Sequence, residues 1–236
     1  MHLSGLRPLD NPQVTPDIQR RSRLGFDEAI FCAGKTIGQL VEILSLASDK
    51  KDTLLLTRLS ENTYQALPDH LRQFIDYEAD SRTGIFGTID APVKKAAAAV
   101  VTAGTSDVAV AREAVRTLRY YGEDALQVFD VGVAGLWRLL ARVEELRPLP
   151  VVITVAGMDA ALPSVVGGLV PGAVIAVPTS AGYGIAESGK TALRAALASC
   201  APGVVVVNID NGYGAACAAL RILRQSDSCR PSAEIE

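Results

Sequence analysis

Residues 151–184 read VVITVAGMDAALPSVVGGLVPGAVIAVPTSAGYG, and this one stretch decides the fold class. It opens with six residues, five of them apolar and most of them β-branched. Such a short run suits a strand buried on both faces. Gly157-Met158-Asp159 breaks the run, and 160–170 then carries apolar residues at helical spacing. Pro171-Gly172 stops that segment, a second apolar run occupies 174–177, and a loop of Pro, Thr, Ser, Ala, Gly and Tyr follows. Strand, helix and strand in about thirty residues make one βαβ unit, with parallel strands and a right-handed crossover.

The same alternation extends outward on both sides. Strands are expected at 97–102, 125–130 and 204–209, and helices at 108–121, 134–145, 189–199 and 215–225. Together with the central unit they predict an α/β domain over 93–236, a five-stranded, doubly wound parallel sheet. The N-terminal part is less regular. Residues 1–16 read as an irregular arm, 16–23 as a short basic helical turn, and 29–33 as a strand. A helix at 37–48, a strand at 53–59 and a helix at 61–74 that contains Pro68 complete a small α/β subdomain over 1–92. The stretch 77–95 is rich in Gly, Pro and charge, which places the domain boundary near Pro92.

Composition narrows the function classes. A net charge of −3, with no basic run, argues against a general affinity for nucleic acid or anionic membrane. No apolar stretch is long enough to span a bilayer, and 1–23 is too polar and proline-broken for a signal peptide. Four cysteines and two histidines show no metal-ligand spacing. The chain reads as a cytoplasmic protein with reduced thiols and a small-molecule partner.

In a doubly wound sheet, ligands bind beyond the carboxyl ends of the strands, so the residues there carry the functional information. Gly104-Thr105-Ser106-Asp107 combines close backbone approach with two hydroxyls at a helix start, which suits a phosphate; Ser106 or Asp107 would equally serve as a helix cap. Asp130, with Gly132 behind it, ends the second strand. Gly157, Met158 and Asp159 end the third, where Asp159 is either a base or a carboxylate favoured by the helix dipole. Pro178, Thr179, Ser180, Gly182, Tyr183 and Gly184 form the fourth loop, and Asn208, Asp210 and Asn211 the fifth. Residues 184–191 also match the phosphate-loop pattern GxxxxGK[ST]. That motif should follow its strand directly, but residues 178–183 intervene, so an ATPase is only a third reading.

Taken in order, Gly104-Thr-Ser-Asp107, Asp130-Val-Gly-Val-Ala-Gly135, Ala156-Gly-Met158, Leu162-Pro-Ser-Val-Val-Gly-Gly-Leu169, Val174-Ile-Ala-Val-Pro-Thr-Ser180, Gly182-Tyr-Gly184 and Val206-Val-Asn-Ile-Asp-Asn-Gly212 resemble one family. It is the pyridinium-3,5-biscarboxylic acid mononucleotide synthase family, LarB, of nickel-pincer cofactor biosynthesis. Its catalytic domain is related to aminoimidazole ribonucleotide carboxylase (PurE-like, flavodoxin-like). The resemblance reaches back more weakly through Asp17, Arg23-Leu-Gly-Phe26 and Gly34-Lys35-Thr36. It implies carboxylation of C5 of the pyridinium ring of nicotinic acid adenine dinucleotide by CO2, with cleavage of the phosphoanhydride to release AMP. No tightly bound cofactor is implied, and magnesium assistance to the hydrolysis stays open.

The resemblance also assigns roles. Cys200, which on its own reads as a buried helix-end cysteine, falls on the family's nucleophile. Asp159 stands where the family has Glu, one methylene shorter, and would take the C5 proton. Asp17, Arg23 and Lys35 would reach the second carboxylate or the diphosphate. Trp137-Arg138 replaces His-Arg, Cys32-Ala33 replaces Gly-Glu or Gly-Ala, and Glu187 and Lys190 stand where the family is small, polar or aromatic. The alternative is a nucleotide-binding regulatory paralogue without catalysis, of the circadian-phase-modifier type. Relatives of this fold assemble as homo-oligomers, octamers among them, so a homo-oligomer is expected.

Overall fold

The computed structural model describes residues 17, 19–92 and 96–228; the expected arm over 1–16 lies outside them. The chain divides into two compact units. Unit 1 runs to Ala79 and adds Thr83–Thr88; unit 2 holds Asp80–Arg82 and everything from Ile89 onward.

Unit 1 begins with α1 (Arg20–Leu24), which stops at Gly25 in the left-handed conformation (φ 75°), where the Gly25 N–H donates to Arg21 O. β1 (Ile30–Phe31) leads to α2 (Ile37–Lys50), whose start is closed by a capping box between Thr36 and Gln39. β2 (Leu54–Thr57) follows, then α3 (Glu61–Gln65) and α4 (Asp69–Arg72). The single helix expected over 61–74 is therefore two, because Pro68 cannot continue α3 and instead stands at the N-cap of α4. β3 (Ile75–Glu78) and β4 (Thr83–Phe86) form an antiparallel pair within the stretch read as boundary loop. The sheet runs β1-β2-β4-β3. Tight packing fixes the hairpin: a Cβ on Gly84 would sit 2.8 Å from Ile75 Cγ2, and Tyr77 stacks on Tyr64 at 4.2 Å. Leu40, Leu44, Leu56 and Leu59 form the core of this unit.

Unit 2 is the five-stranded parallel sheet. Its elements are β5 (Ala98–Thr102), α5 (Val108–Tyr120), β6 (Ala125–Val128), α6 (Leu136–Leu140), α7 (Val143–Leu146), β7 (Val151–Ala156), α8 (Ala161–Gly167), β8 (Ala173–Pro178), α9 (Lys190–Leu197), β9 (Val205–Val206) and α10 (Gly212–Ser228). The strand order is β6-β5-β7-β8-β9, all parallel. Every residue of β5 and β7 is buried, which is why these runs lack polar alternation. Each buried Val or Ile contributes about 1.5–3 kcal/mol of transfer free energy.

Helices cover both faces. α5 packs against α10 on one, while Leu139, Leu146, Leu162, Val166 and Ala192 draw α6 to α9 onto the other with Ala99, Val101 and Val152. The helix expected over 134–145 is split by Ala141-Arg142, and only two residues of 204–209 join the sheet. The order of strands places the topological switch point between β5 and β7. Among the described residues, no helix is long and apolar enough to cross a membrane.

Candidate active site

The loops that leave the carboxyl ends of β5, β7 and β8 are tied together by one side chain. Asp107, in the 3-10 turn Thr105–Asp107 after β5, is only 3% exposed. Its Oδ2 accepts from the Gly104 N–H at 2.9 Å, and its Oδ1 accepts from the Thr179 hydroxyl at 2.6 Å, 72 residues away. The Gly157 N–H donates to the same carboxylate. Burial pushes the Asp107 carboxyl above its ordinary value, against the pull of these three donors. Asp107, expected as a ligand contact, is thus occupied as a tie between strand ends. The exposed hydroxyls of Thr105 and Ser106 are the groups this loop presents.

The end of β7 is bent sharply. A Cβ on Gly157 would lie 2.4 Å from Ala181 O and 2.7 Å from Thr179 Oγ1, so only glycine lets the β7 and β8 loops touch. The Met158 N–H donates to Ala181 O at 3.0 Å, and both Met158 (φ 54°) and Ala160 (φ 46°) are left-handed. This double bend presents Asp159 as an exposed carboxylate just before α8, with only a 3.4 Å contact from the Ala161 N–H.

After β8, Pro178 and Thr179 are buried, whereas Ser180, Gly182, Tyr183 and Gly184 are exposed. The Ser180 N–H donates to Asp210 Oδ1 at 2.8 Å, and the Asp210 N–H donates to Pro178 O. Asp210 therefore holds the β8 and β9 loops together. Asn211 Oδ1 accepts from the Gly214 N–H in the first turn of α10, and Asn208 Oδ1 accepts from the Ile209 N–H.

On the β6 side of the switch point, the Asp130 N–H donates to Thr102 Oγ1, and Asp130 Oδ2 accepts from Arg138 Nη1 at 2.6 Å. Arg138 folds back over Gly135, where a Cβ would meet Nε at 2.8 Å. Gly132 packs on Ala103 O, which a Cβ would approach to 2.7 Å. Arg138 and Thr102 were not singled out from the sequence as site residues; the available signal was an arginine three residues after a Gly-Val-Ala-Gly turn. Of the nine described non-glycine residues with positive φ, six (Asp130, Met158, Ala160, Glu187, Ser188 and Asp210) lie in these loops. Left-handed backbone costs about 1–2 kcal/mol per residue, and such strain gathers where a loop is held for function.

Within unit 2, one expected residue stands away from this rim. Cys200 is exposed, but it follows the C-terminal end of α9, whereas the loops of the rim precede its N-terminal end. Ser199 Oγ is hydrogen-bonded to Ser164 Oγ, and a Cβ on Gly167 would touch Ala201 Cβ. Those neighbours place the Cys200 turn beside the middle and the C-terminal end of α8. Asp17, Arg23 and Lys35 belong to unit 1. There Asp17 pairs with Arg23 at 2.6 Å, while Asp17 and Lys35 line a cavity of about 730 Å³ beside β1 and α2.

The phosphate-loop reading fares poorly. Gly184–Gly189 is a kinked 3-10 segment, the Thr191 hydroxyl donates to Ile185 O, and a Cβ on Gly189 would lie 2.7 Å from Thr179 O. The hydroxyl that should face a magnesium ion is therefore committed to the backbone. Among the described residues, no three acidic, His or Cys side chains converge as metal ligands.

Over residues 10–88 the chain matches the family described as LarB/PurE-like N-terminal domain, and over residues 97–232 the family described as AIR carboxylase. It is 38% identical over 208 residues to the uncharacterised protein MJ0165 of Methanocaldococcus jannaschii, spanning 84% of this chain and 79% of that one. It is also 36% identical over 133 residues to the N5-carboxyaminoimidazole ribonucleotide mutase of the same organism, spanning 54% of this chain and 79% of the mutase.

Proposed function

The chain belongs to the LarB family of PurE-like, carboxylase-type proteins, and from that premise we propose that it carboxylates C5 of the pyridinium ring of nicotinic acid adenine dinucleotide and releases AMP. The observation that carries the reading is the rim of unit 2. Three strand ends are locked by Asp107 around a turn that holds Asp159 open to solvent, beside exposed hydroxyls and the Ser180–Gly184 backbone.

A pyridinium ring is too electron-poor for C5 to attack CO2. A thiolate that adds to the ring places its electron pair in a C–S bond and leaves C5 enamine-like. C5 then forms a bond to the carbon of CO2, and one CO2 oxygen takes the negative charge. Asp159 accepts the C5 proton, the C–S bond breaks, and the ring regains aromaticity as the thiolate leaves. Attack of water on the phosphoanhydride then yields AMP and the mononucleotide. Thr105 and Ser106 bind the phosphate–ribose portion at the switch point, Asp130 with Arg138 lines the same crevice, and residues 178–184 enclose the ring and CO2. Asp107 acts through Thr179 as a positioning residue. No step is assigned to a metal.

A second reading, a nucleotide-binding regulator without catalysis, is favoured by one observation. Where the family carries a titratable His, Trp137 stands 73% exposed and cannot transfer a proton. Incubation with nicotinic acid adenine dinucleotide and bicarbonate, followed by mass spectrometry, separates the two. The proposal expects a product heavier by one carboxyl group together with AMP; tight binding with intact dinucleotide would select the regulator.

A further inference from the structure

Trp137 is the single tryptophan of the chain, and 73% of it is exposed. Its place is nonetheless fixed. Leu139, two residues on, is fully buried in one core with Val101 and Leu162. Arg138 folds back over Gly135 to reach Asp130 Oδ2 at 2.6 Å, and the turn Val133–Gly135 packs against α8. Because α6 follows the carboxyl end of β6, its first turn stands at the rim, and a helical side chain leans towards the N-terminus of its own helix. The indole is therefore presented beside the rim on a braced backbone. A tryptophan buries about 150–250 Å² when it is covered, so one left open at a binding rim calls for a partner with a flat apolar face.

The order of the strands says which partner. The loops follow one another along the rim as β6, β5, β7 and β8. Neighbouring strands are about 4.8 Å apart, so the β6 end lies roughly 10 Å from the β7 end. In the proposed function the pyridinium ring lies at Asp159 and residues 178–184, on β7 and β8, and the phosphates at Thr105 and Ser106, on β5. The remaining part of a dinucleotide laid across the switch point is its adenosine, at β6. Asp130 agrees with that placement. It ends the second strand of the unit, is about half exposed, and gives Oδ2 to Arg138 while leaving Oδ1 for a hydroxyl. In dinucleotide-binding sheets, an acid in this place after the glycine turn takes the adenosine ribose. We propose that Trp137 is the platform on which the adenine of the dinucleotide stacks. This rests on the reading of the rim as a dinucleotide site. Every base offers a π-face to an indole, and such a stack strengthens binding by about tenfold or more.

With one tryptophan in the chain, intrinsic fluorescence reports on this face alone. AMP should quench it in the wild-type protein. By calorimetry, Kd for AMP and for nicotinic acid adenine dinucleotide should rise about tenfold in Trp137→Ala and only about threefold in Trp137→Phe, which keeps an aromatic face. Kd for nicotinic acid mononucleotide should be the same in wild type and Trp137→Ala, which also shows that the variant is folded. In the product assay the loss should fall on KM rather than kcat, since the adenine does not react. Quenching by the mononucleotide and not by AMP would put the indole on the pyridinium ring and overturn the assignment. An AMP affinity unchanged in Trp137→Ala would overturn it too, and a changed mass in light scattering would then give the indole to a contact between copies. A wild-type chain that binds neither AMP nor the dinucleotide would defeat the dinucleotide reading of the rim, and the platform with it.

Discussion

Replacing Asp107 with alanine removes the one acceptor shared by three strand-end donors. The Gly104 and Gly157 amides lose their partner, and the Thr179 hydroxyl, now 2.6 Å from that carboxylate, must turn elsewhere. Each buried amide left unsatisfied costs about 1–3 kcal/mol, while relief of the buried charge returns part of that. The expected net loss for Asp107→Ala is about 2–4 kcal/mol. Asp107→Asn keeps the size but turns an NH2 towards a donor, and should lose about 1–2 kcal/mol.

The pH dependence carries a sign. Burial raises the folded carboxyl above its ordinary value of 3.8, so the folded chain binds this proton more tightly than the unfolded one. The resulting stability is fully present below about 3.8 and is lost as pH rises through the raised folded value. Wild type should therefore lose ground to Asp107→Asn on going from acid towards neutrality. Urea unfolding followed by circular dichroism, with hydrogen exchange at the Gly104 and Gly157 amides, measures both effects. Asp107→Ala within about 0.5 kcal/mol of wild type, with unchanged exchange at those amides, would refute the tie.

Other perturbations separate positioning from stability. Gly157→Ala forces a Cβ to 2.4 Å from Ala181 O, so the β7 and β8 loops must part; turnover should fall at least about tenfold in the product assay, with a loss of about 1–3 kcal/mol in urea unfolding. Arg138→Ala breaks a partly exposed ion pair with Asp130, so stability should change by less than about 1 kcal/mol while KM for the dinucleotide rises. Burial pushes the Cys32 thiol up to about 12, so it should resist iodoacetamide at mildly alkaline pH while exposed Cys200 reacts. Peptide mapping checks this, and equal labelling of both thiols would contradict the burial of Cys32.

Much of this architecture was legible in residues 151–184, because buried parallel strands leave apolar runs and the intervening helix keeps its own period. The β3–β4 pair was not, since Asp76, Glu78, Arg82 and Gly84 give it the composition of a loop; its stability comes from Ile75, Tyr64 and Leu56 packing onto a strand too short to show a period. The split of the helix at Pro68 was readable from that proline alone. At the site, the glycines of the strand ends were visible, but the use of Asp107 was not. Its decisive partner, Thr179, is 72 residues away, and no local pattern distinguishes a carboxylate that binds a ligand from one that ties two loops. The place of Cys200 follows from topology rather than from its neighbours in sequence, because a residue after α9 has already left the rim.

The most direct test supplies 13C-bicarbonate with nicotinic acid adenine dinucleotide and follows the ring carbons by NMR. Carboxylation at C5 predicts a new labelled carboxyl there, accompanied by AMP and abolished in both Asp159→Asn and Cys200→Ala. Binding of the dinucleotide with no label on the ring would contradict it.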